Sequence, residues 1–195
     1  MLALLWPMAA FALAASISPG PVNLVGLSSG SRYPLRVGLV FVTGATLGFI
    51  GLFLAVGLGL HSLLRDWSLV LSALRWGGIA FLLYLAWQLL RDDGHLGDAD
   101  AQRAPSVVTG ALMQWLNPKA WLASLAGIAA YTDGSLVQLG WFAGLYLPIC
   151  WVSLSVWVLA GAFLRRWLQR PALLVAVNRT LAGLLIASCL VLVLD

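Results

Sequence analysis

Glutamate is absent from the 195 residues, and lysine occurs once. Charged side chains of every kind make up 9% of the chain, against ~25% in an ordinary soluble domain. That scarcity excludes a soluble enzyme or a solvated binding module as the bulk of the protein. Cysteine is equally sparse. Cys150 and Cys189 both fall inside apolar runs, with no spacing for a disulfide framework or a metal centre, and read as small buried hydrophobes. His61 and His95 lack ligand spacing too, so no metal, cofactor or enzyme chemistry is expected. The net charge of +4 does not signal nucleic acid, because the arginines gather in short loops between apolar runs.

What the chain has is hydrophobic length. Apolar residues make up 62% of it, in six runs at about 3–27, 37–60, 69–90, 107–131, 136–163 and 172–194. Each is long enough to cross a hydrocarbon layer about 30 Å thick. The expected fold is an all-α integral membrane protein of six transmembrane helices in one membrane domain. The first run carries small residues near Ala14, as a signal peptide would, but it lacks a positive n-region and stays apolar to Leu27. It reads as a retained span. A polar turn is expected over Ser28–Arg36, and the loop from Arg91 to Ser106 collects Asp92, Asp93, Asp98 and Asp100 as a solvated face. Gly44-x-x-x-Gly48 and Gly140-x-x-x-Gly144 allow close helix contact, the first read as internal packing; a homo-oligomer stays open.

Two of the runs are interrupted. Pro19-Gly20-Pro21 breaks the first, and Asn117-Pro118 breaks the fourth about 98 residues later. Proline removes an N–H and clashes with the preceding turn, so backbone groups near each break lose helical partners. Non-helical backbone at membrane depth is tolerated only inside protein or along a wet cavity. Lys119, the single lysine, stands beside the second break, roughly 18 Å into the layer, where a charge costs about 2.5–3.5 kcal/mol on insertion scales. Three runs per half, each half with a broken first span, imply two inverted repeats: about 1–90 and 107–195, joined by the loop 91–106. Paired interrupted helices in inverted repeats are the plan of secondary transporters, with the site where the breaks meet. The candidate substrate-binding residues are therefore Ser18, Pro19, Gly20, Pro21 and Asn23 from the first break and Asn117, Pro118 and Lys119 from the second.

Pro19-Gly20-Pro21 and Asn117-Pro118-Lys119-Ala120 resemble the motifs of the LysE/RhtB amino-acid exporters, and that resemblance implies an amino acid as the substrate of such a site. Lys119 would face the carboxylate, helped by Asn117 and by N–H groups at the first break, and carbonyls near Ser16–Ser18 and Leu116 would accept from the ammonium. No Asp or Glu lies deep in a span, which leaves Lys119 as the candidate proton carrier and disfavours cationic substrates, metal ions included. Neutral amino acids such as threonine, homoserine or the branched-chain group fit better, with Trp115 and Trp121 offering a wall for an apolar side chain. Two rival readings stay open. A membrane thiol–disulfide relay would need cysteines beside the breaks, where Ser18, Asn23, Asn117 and Lys119 stand instead. A non-transporting membrane scaffold gives no reason for a lysine between proline breaks.

Pro19-Gly20-Pro21, the Gly-rich second run and Asn117-Pro118-Lys119-Ala120 together resemble the LysE/RhtB family of amino-acid exporters. The resemblance covers the whole chain. It implies a bacterial inner-membrane exporter of amino acids or close derivatives, driven by the proton-motive force. The chain departs from the family pattern at Val22, where an asparagine is usual, and at Tyr131-Thr132-Asp133, where Pro-Gln-Phe is usual. The second run also lacks, at Gly48–Phe53, the polar residue many members carry there.

Orientation follows from loop arginines. Arg32, Arg36, Arg91, Arg103, Arg165, Arg166 and Arg170 share one side, and Arg65 stands alone on the other. The arginine-rich side is expected in the cytoplasm, with both termini periplasmic. A reporter fused after Asp195 and active only in the periplasm should be active; signal from a cytoplasm-only reporter there would reverse the topology.

Overall fold

The computed structural model describes residues 2–59, 104–132, 135–165 and 171–194, with scattered positions between 76 and 91. Among them are seven helices and no strand. They are α1 (Leu2–Ile17), α2 (Pro21–Arg32), α3 (Leu35–Gly57), α4 (Val107–Trp115), α5 (Pro118–Tyr131), α6 (Leu136–Arg165) and α7 (Pro171–Leu194). Helices α3 and α6 are each long and apolar enough to cross a membrane. Helices α1 and α2 form a third candidate span, bent by 60° at Ser18–Gly20. The second expected break is present as well, with α4 ending at Trp115 and α5 starting at Pro118. Most of the run 69–90, the acidic loop and the basic turn at 166–170 lie outside the described residues.

Both restarts follow proline chemistry. Pro21 and Pro118 each occupy the first turn of a new helix, where a missing N–H costs nothing. Asn117 caps α5, its side-chain oxygen accepting from the Lys119 N–H at 3.1 Å, and Ser106 caps α4 by accepting from Thr109 N–H at 3.2 Å.

The polar turn expected over Ser28–Arg36 is much shorter than the composition suggests. Helix α2 continues to Arg32, with Ser28, Ser29 and Ser31 buried. The reason is tertiary: α2 is sheltered by α6 along a seam of glycines. A Cβ on Gly30 would run into the Val158 carbonyl, and one on Gly161 into the Leu27 carbonyl. A similar seam joins α3 to α4, where Gly44 and Gly48 sit against the backbone of Val107 and Ala111, and Gly110 against Phe41 and Ala45. The Gly44-x-x-x-Gly48 pair thus serves internal packing. Gly140 and Gly144 face open space.

Away from the seams, six aromatic side chains from four helices fill the core: Phe11, Phe49, Phe53, Tyr131, Phe142 and Tyr146. Ring centroids are 4.6 Å apart for Phe49–Tyr146 and 5.1 Å for Phe53–Phe142, within the usual range of favourable aromatic pairs. Leu122, Val137, Trp141, Val152 and Phe163 point outward as a lipid-facing surface would.

Gly161→Val forces branched carbon into a backbone carbonyl that cannot rotate away, an overpacking cost of about 1–3 kcal/mol or more. Its thermal midpoint in detergent should fall clearly, whereas Gly140→Val should match the parent; equal midpoints for the two variants would show that the seam is not a close contact.

Candidate functional site

The end of α1 presents a problem of unpaired backbone. The last four carbonyls of a helix have no intrahelical partner. Each acceptor at the break finds a specific donor. The Ala14 carbonyl accepts from Ser18 N–H at 3.2 Å, and the Ala15 carbonyl from the Ser18 hydroxyl at 3.1 Å. Asn23 Nδ2 donates to the Ser16 carbonyl at 2.8 Å, and Trp157 Nε1 to the Ile17 carbonyl at 3.0 Å. The last two carbonyls belong to the lysine. Lys119 Nζ donates to the Ser18 carbonyl at 2.7 Å, to the Ser18 hydroxyl at 2.8 Å and to the Pro19 carbonyl at 3.1 Å.

This arrangement uses all three ammonium protons and places a cation at the negative end of the α1 dipole. Hydrogen bonds to a charged group contribute about 1.5–3 kcal/mol each, so the three contacts tie the lysine firmly to the break. Gly20 makes the approach possible. A Cβ there would lie 3.1 Å from both Lys119 Cδ and Nζ, so a larger residue would displace the ammonium.

The second break is closed by its own side chains. With Lys119 N–H committed to the Asn117 cap, the Trp115 carbonyl loses its helical donor and instead accepts from Trp121 Nε1 at 2.8 Å. Of the carbonyls expected to await a substrate ammonium, those of Ser16, Ile17 and Ser18 are partnered in this conformation.

Beside the lysine lies a cavity of about 40 Å³. Its polar lining is Lys119, Asn117, Asn23, Gln114, Ser16, Tyr146 and Cys150, with Val22, Phe49 and Leu154 as apolar wall. The side chains of Ser16, Asn23, Gln114 and Asn117 are all buried. Typical small-molecule sites measure ~300–1,000 Å³, so the cavity must widen to take an amino acid, and the aromatic cluster begins at its edge with Phe49 and Tyr146.

The structure thus brings together Lys119, Asn117 and Asn23 at the cavity, with Ser18, Pro19 and Gly20 holding the lysine and Pro21 and Pro118 starting the helices behind it. Two expectations need correction. Trp115 and Trp121 do not wall the cavity; they brace each other edge to face, 6.4 Å between centroids, because the indole N–H is drawn to the orphaned Trp115 carbonyl. Cys150 is buried as expected, yet it lines the cavity and its Sγ accepts from Thr46 Oγ1 at 3.9 Å. Sequence reasoning assigned no site role to Cys150, Tyr146 or the Ser16 side chain. Cys150 and Tyr146 are hidden by their separation from the breaks along the chain, where the only available signal is a polar atom in an otherwise apolar run.

Comparison with known proteins agrees with the geometry. No solved structure matches the chain. A cysteine/O-acetylserine efflux protein of Escherichia coli is 26% identical over 165 residues, covering 80% of this chain and 81% of that protein. A cysteine/O-acetylserine efflux protein of Salmonella typhimurium is 24% identical over 163 residues, with 80% and 81% covered. The model of the LysE type translocator family matches residues 13–194, and with that match spanning nearly the whole chain and both broken helices inside it, the protein belongs to the LysE type translocator family.

Proposed function

We propose that the protein exports small neutral amino acids across the bacterial inner membrane, driven by the proton-motive force, by an exchange of partners at Lys119. The observation that carries this reading is the lysine's grip on the Ser18 and Pro19 carbonyls across the two breaks. An amino-acid zwitterion carries both complements of that pair. Its carboxylate replaces the carbonyls on Lys119, and its ammonium takes over the carbonyls that the lysine releases. No buried polar group is left unpaired at the end of the exchange, so the desolvation penalty that would block a simple anion or a simple amine is avoided. Binding then loosens the tie between the α1–α2 break and α5, which couples substrate to movement of the half-helices.

Supporting the transport frame are the two proline restarts, the apolar lengths of α3 and α6, and the efflux activity named for the relatives. The full architecture in this reading is six spans in two inverted repeats, 1–90 and 107–195, with both termini periplasmic. In that orientation the glycine seams of α2 and α4 close the cytoplasmic side. Lys119 is the proton-coupling candidate, as the cationic group that changes partners at the break. A neutral side chain is preferred because the cavity offers no carboxylate among its described lining residues.

Lys119→Gln keeps an N–H donor for the break while removing the charge. Its export of neutral amino acids should fall about 10–100-fold, the weight of one charge-assisted contact, with membrane abundance near the parent's. Undiminished export would remove the lysine from the substrate path. In the parent, efflux of threonine, homoserine or branched-chain amino acids should exceed that of preloaded lysine or arginine; the opposite order would require an acidic partner and would overturn the neutral preference.

A further inference from the structure

Six of the seven polar side chains that line the cavity have a partner among the described residues. Lys119 holds the Ser18 and Pro19 carbonyls, Asn23 donates to the Ser16 carbonyl, and Asn117 accepts from the Lys119 N–H. Thr46 donates to the Cys150 sulfur, and Ser16 bonds with Tyr146. Gln114 is the exception. It is 6% exposed and lines the cavity, yet no described residue bonds its side-chain amide. A buried amide without a partner is unfavourable, and one set on a cavity wall is open to a ligand.

The backbone around Gln114 fixes where that amide is presented. The Gln114 carbonyl accepts from the Asn117 N–H at 3.2 Å, so the last turn of α4 runs directly into the break. Gln114, Asn117 and Lys119, within six residues of one another, therefore line the same cavity from the second broken helix. The N-terminus of α5 has no N–H to add. Pro118 lacks one, the Lys119 N–H goes to the Asn117 side chain, and those of Ala120 and Trp121 go to the Asn117 carbonyl at 2.9 and 3.4 Å. Further donors from this helix must be side chains.

We propose that Gln114 is a substrate-binding residue, its Nε2 donating to the carboxylate of the exported amino acid while Lys119 faces the same group. This rests on the assignment of that carboxylate to Lys119. The substrate ammonium is well supplied with acceptors, namely the Ser18 and Pro19 carbonyls and the Ser18 hydroxyl that the lysine gives up. The carboxylate is the group short of donors. It has about four lone-pair sites, and a lysine meets them as a point charge on a flexible stem. An amide from the other side of the break gives the contact direction. A carboxylate held by both residues bridges α4 to α5 as the lysine leaves α1.

The test uses the purified protein in proteoliposomes loaded with labelled L-threonine, or whichever neutral amino acid the parent exports fastest. The competitor loaded with it is either the same amino acid unlabelled or its amino alcohol, in which CH2OH replaces the carboxylate. The reading is the ratio of the two half-inhibiting concentrations, which does not depend on protein abundance or turnover. The parent should favour the amino acid. Gln114→Met keeps the length of the side chain and removes the amide. The preference should fall about 10–100-fold, the weight of one hydrogen bond to a charged group, with the alcohol's own value near the parent's. Gln114→Glu sets a carboxylate against a carboxylate and should lower the preference at least as far; should Gln114→Met fail to accumulate, it carries the decision. Equal weakening of both competitors places the amide on the ammonium or in the fold, and a parent-like ratio leaves it solvated only; either result overturns the proposal. The outcome is separable from that of the lysine exchange. A preference kept in the Gln114 variants and lost in Lys119→Gln removes Gln114 alone. Undiminished export by Lys119→Gln, with the preference lost in Gln114→Met, removes the lysine exchange and leaves the amide contact. A parent that exports no neutral amino acid overturns both.

Discussion

A half-buried ammonium and two unpaired carbonyls are each costly alone, and this fold is arranged so that they meet. Lys119 from the second broken helix holds the Ser18 and Pro19 carbonyls of the first. The partners stand about 100 residues apart in sequence, so the contact ties one broken helix to the other. Much of the surrounding structure serves it. Gly20 leaves room for the lysine stem, Asn117 fixes the turn from which the lysine projects, and Asn23 and Trp157 satisfy the carbonyls that the lysine does not reach. Nearly every polar group at the break is thus paired within the protein.

The two sides of the cavity are closed by different materials. On the side of Arg32 and Arg36, backbone lies on backbone through Gly30, Gly161, Gly44 and Gly110. Such seams part only when whole helices move, because a carbonyl in a helix has no rotamer to adopt. On the other side the closure is made of rings, Phe11, Phe53, Phe142 and Tyr146 among them. Rings can step between rotamers with little backbone movement.

Membrane character, the lengths of the main spans and both helix breaks were legible in the chain, because each depends on local chemistry. Apolar runs of spanning length, proline's missing N–H and the cost of a lone charge at depth act within a few residues of where they are written. Lys119, Asn117, Pro118 and the Ser18–Asn23 stretch could be grouped for the same reason: a broken helix beside a charge has few tolerable settings in a membrane. The continuation of α2 through Ser28, Ser29 and Ser31 was not legible. Its polar composition reads as a turn until α6 arrives, and shelter by another helix is a tertiary fact.

The same division runs through the site. From the chain alone it followed that Lys119 needed partners and that the carbonyls at the first break needed donors, since both requirements come from the chemistry of single groups. That they satisfy each other, closing the carbonyls first expected to receive a substrate, depended on how the two broken helices approach in space. Trp121 turned to its own break for a similar reason, because the Trp115 carbonyl lost its amide donor to the Asn117 cap. Cys150 and Tyr146 show the limit most clearly. Each is one polar atom on a long apolar helix, with nothing local to distinguish it from core. Only the packing of α6 against α1 and α3 sets them beside Ser16 and Thr46, because proximity between residues more than a hundred positions apart is determined by helix packing and not by sequence neighbours.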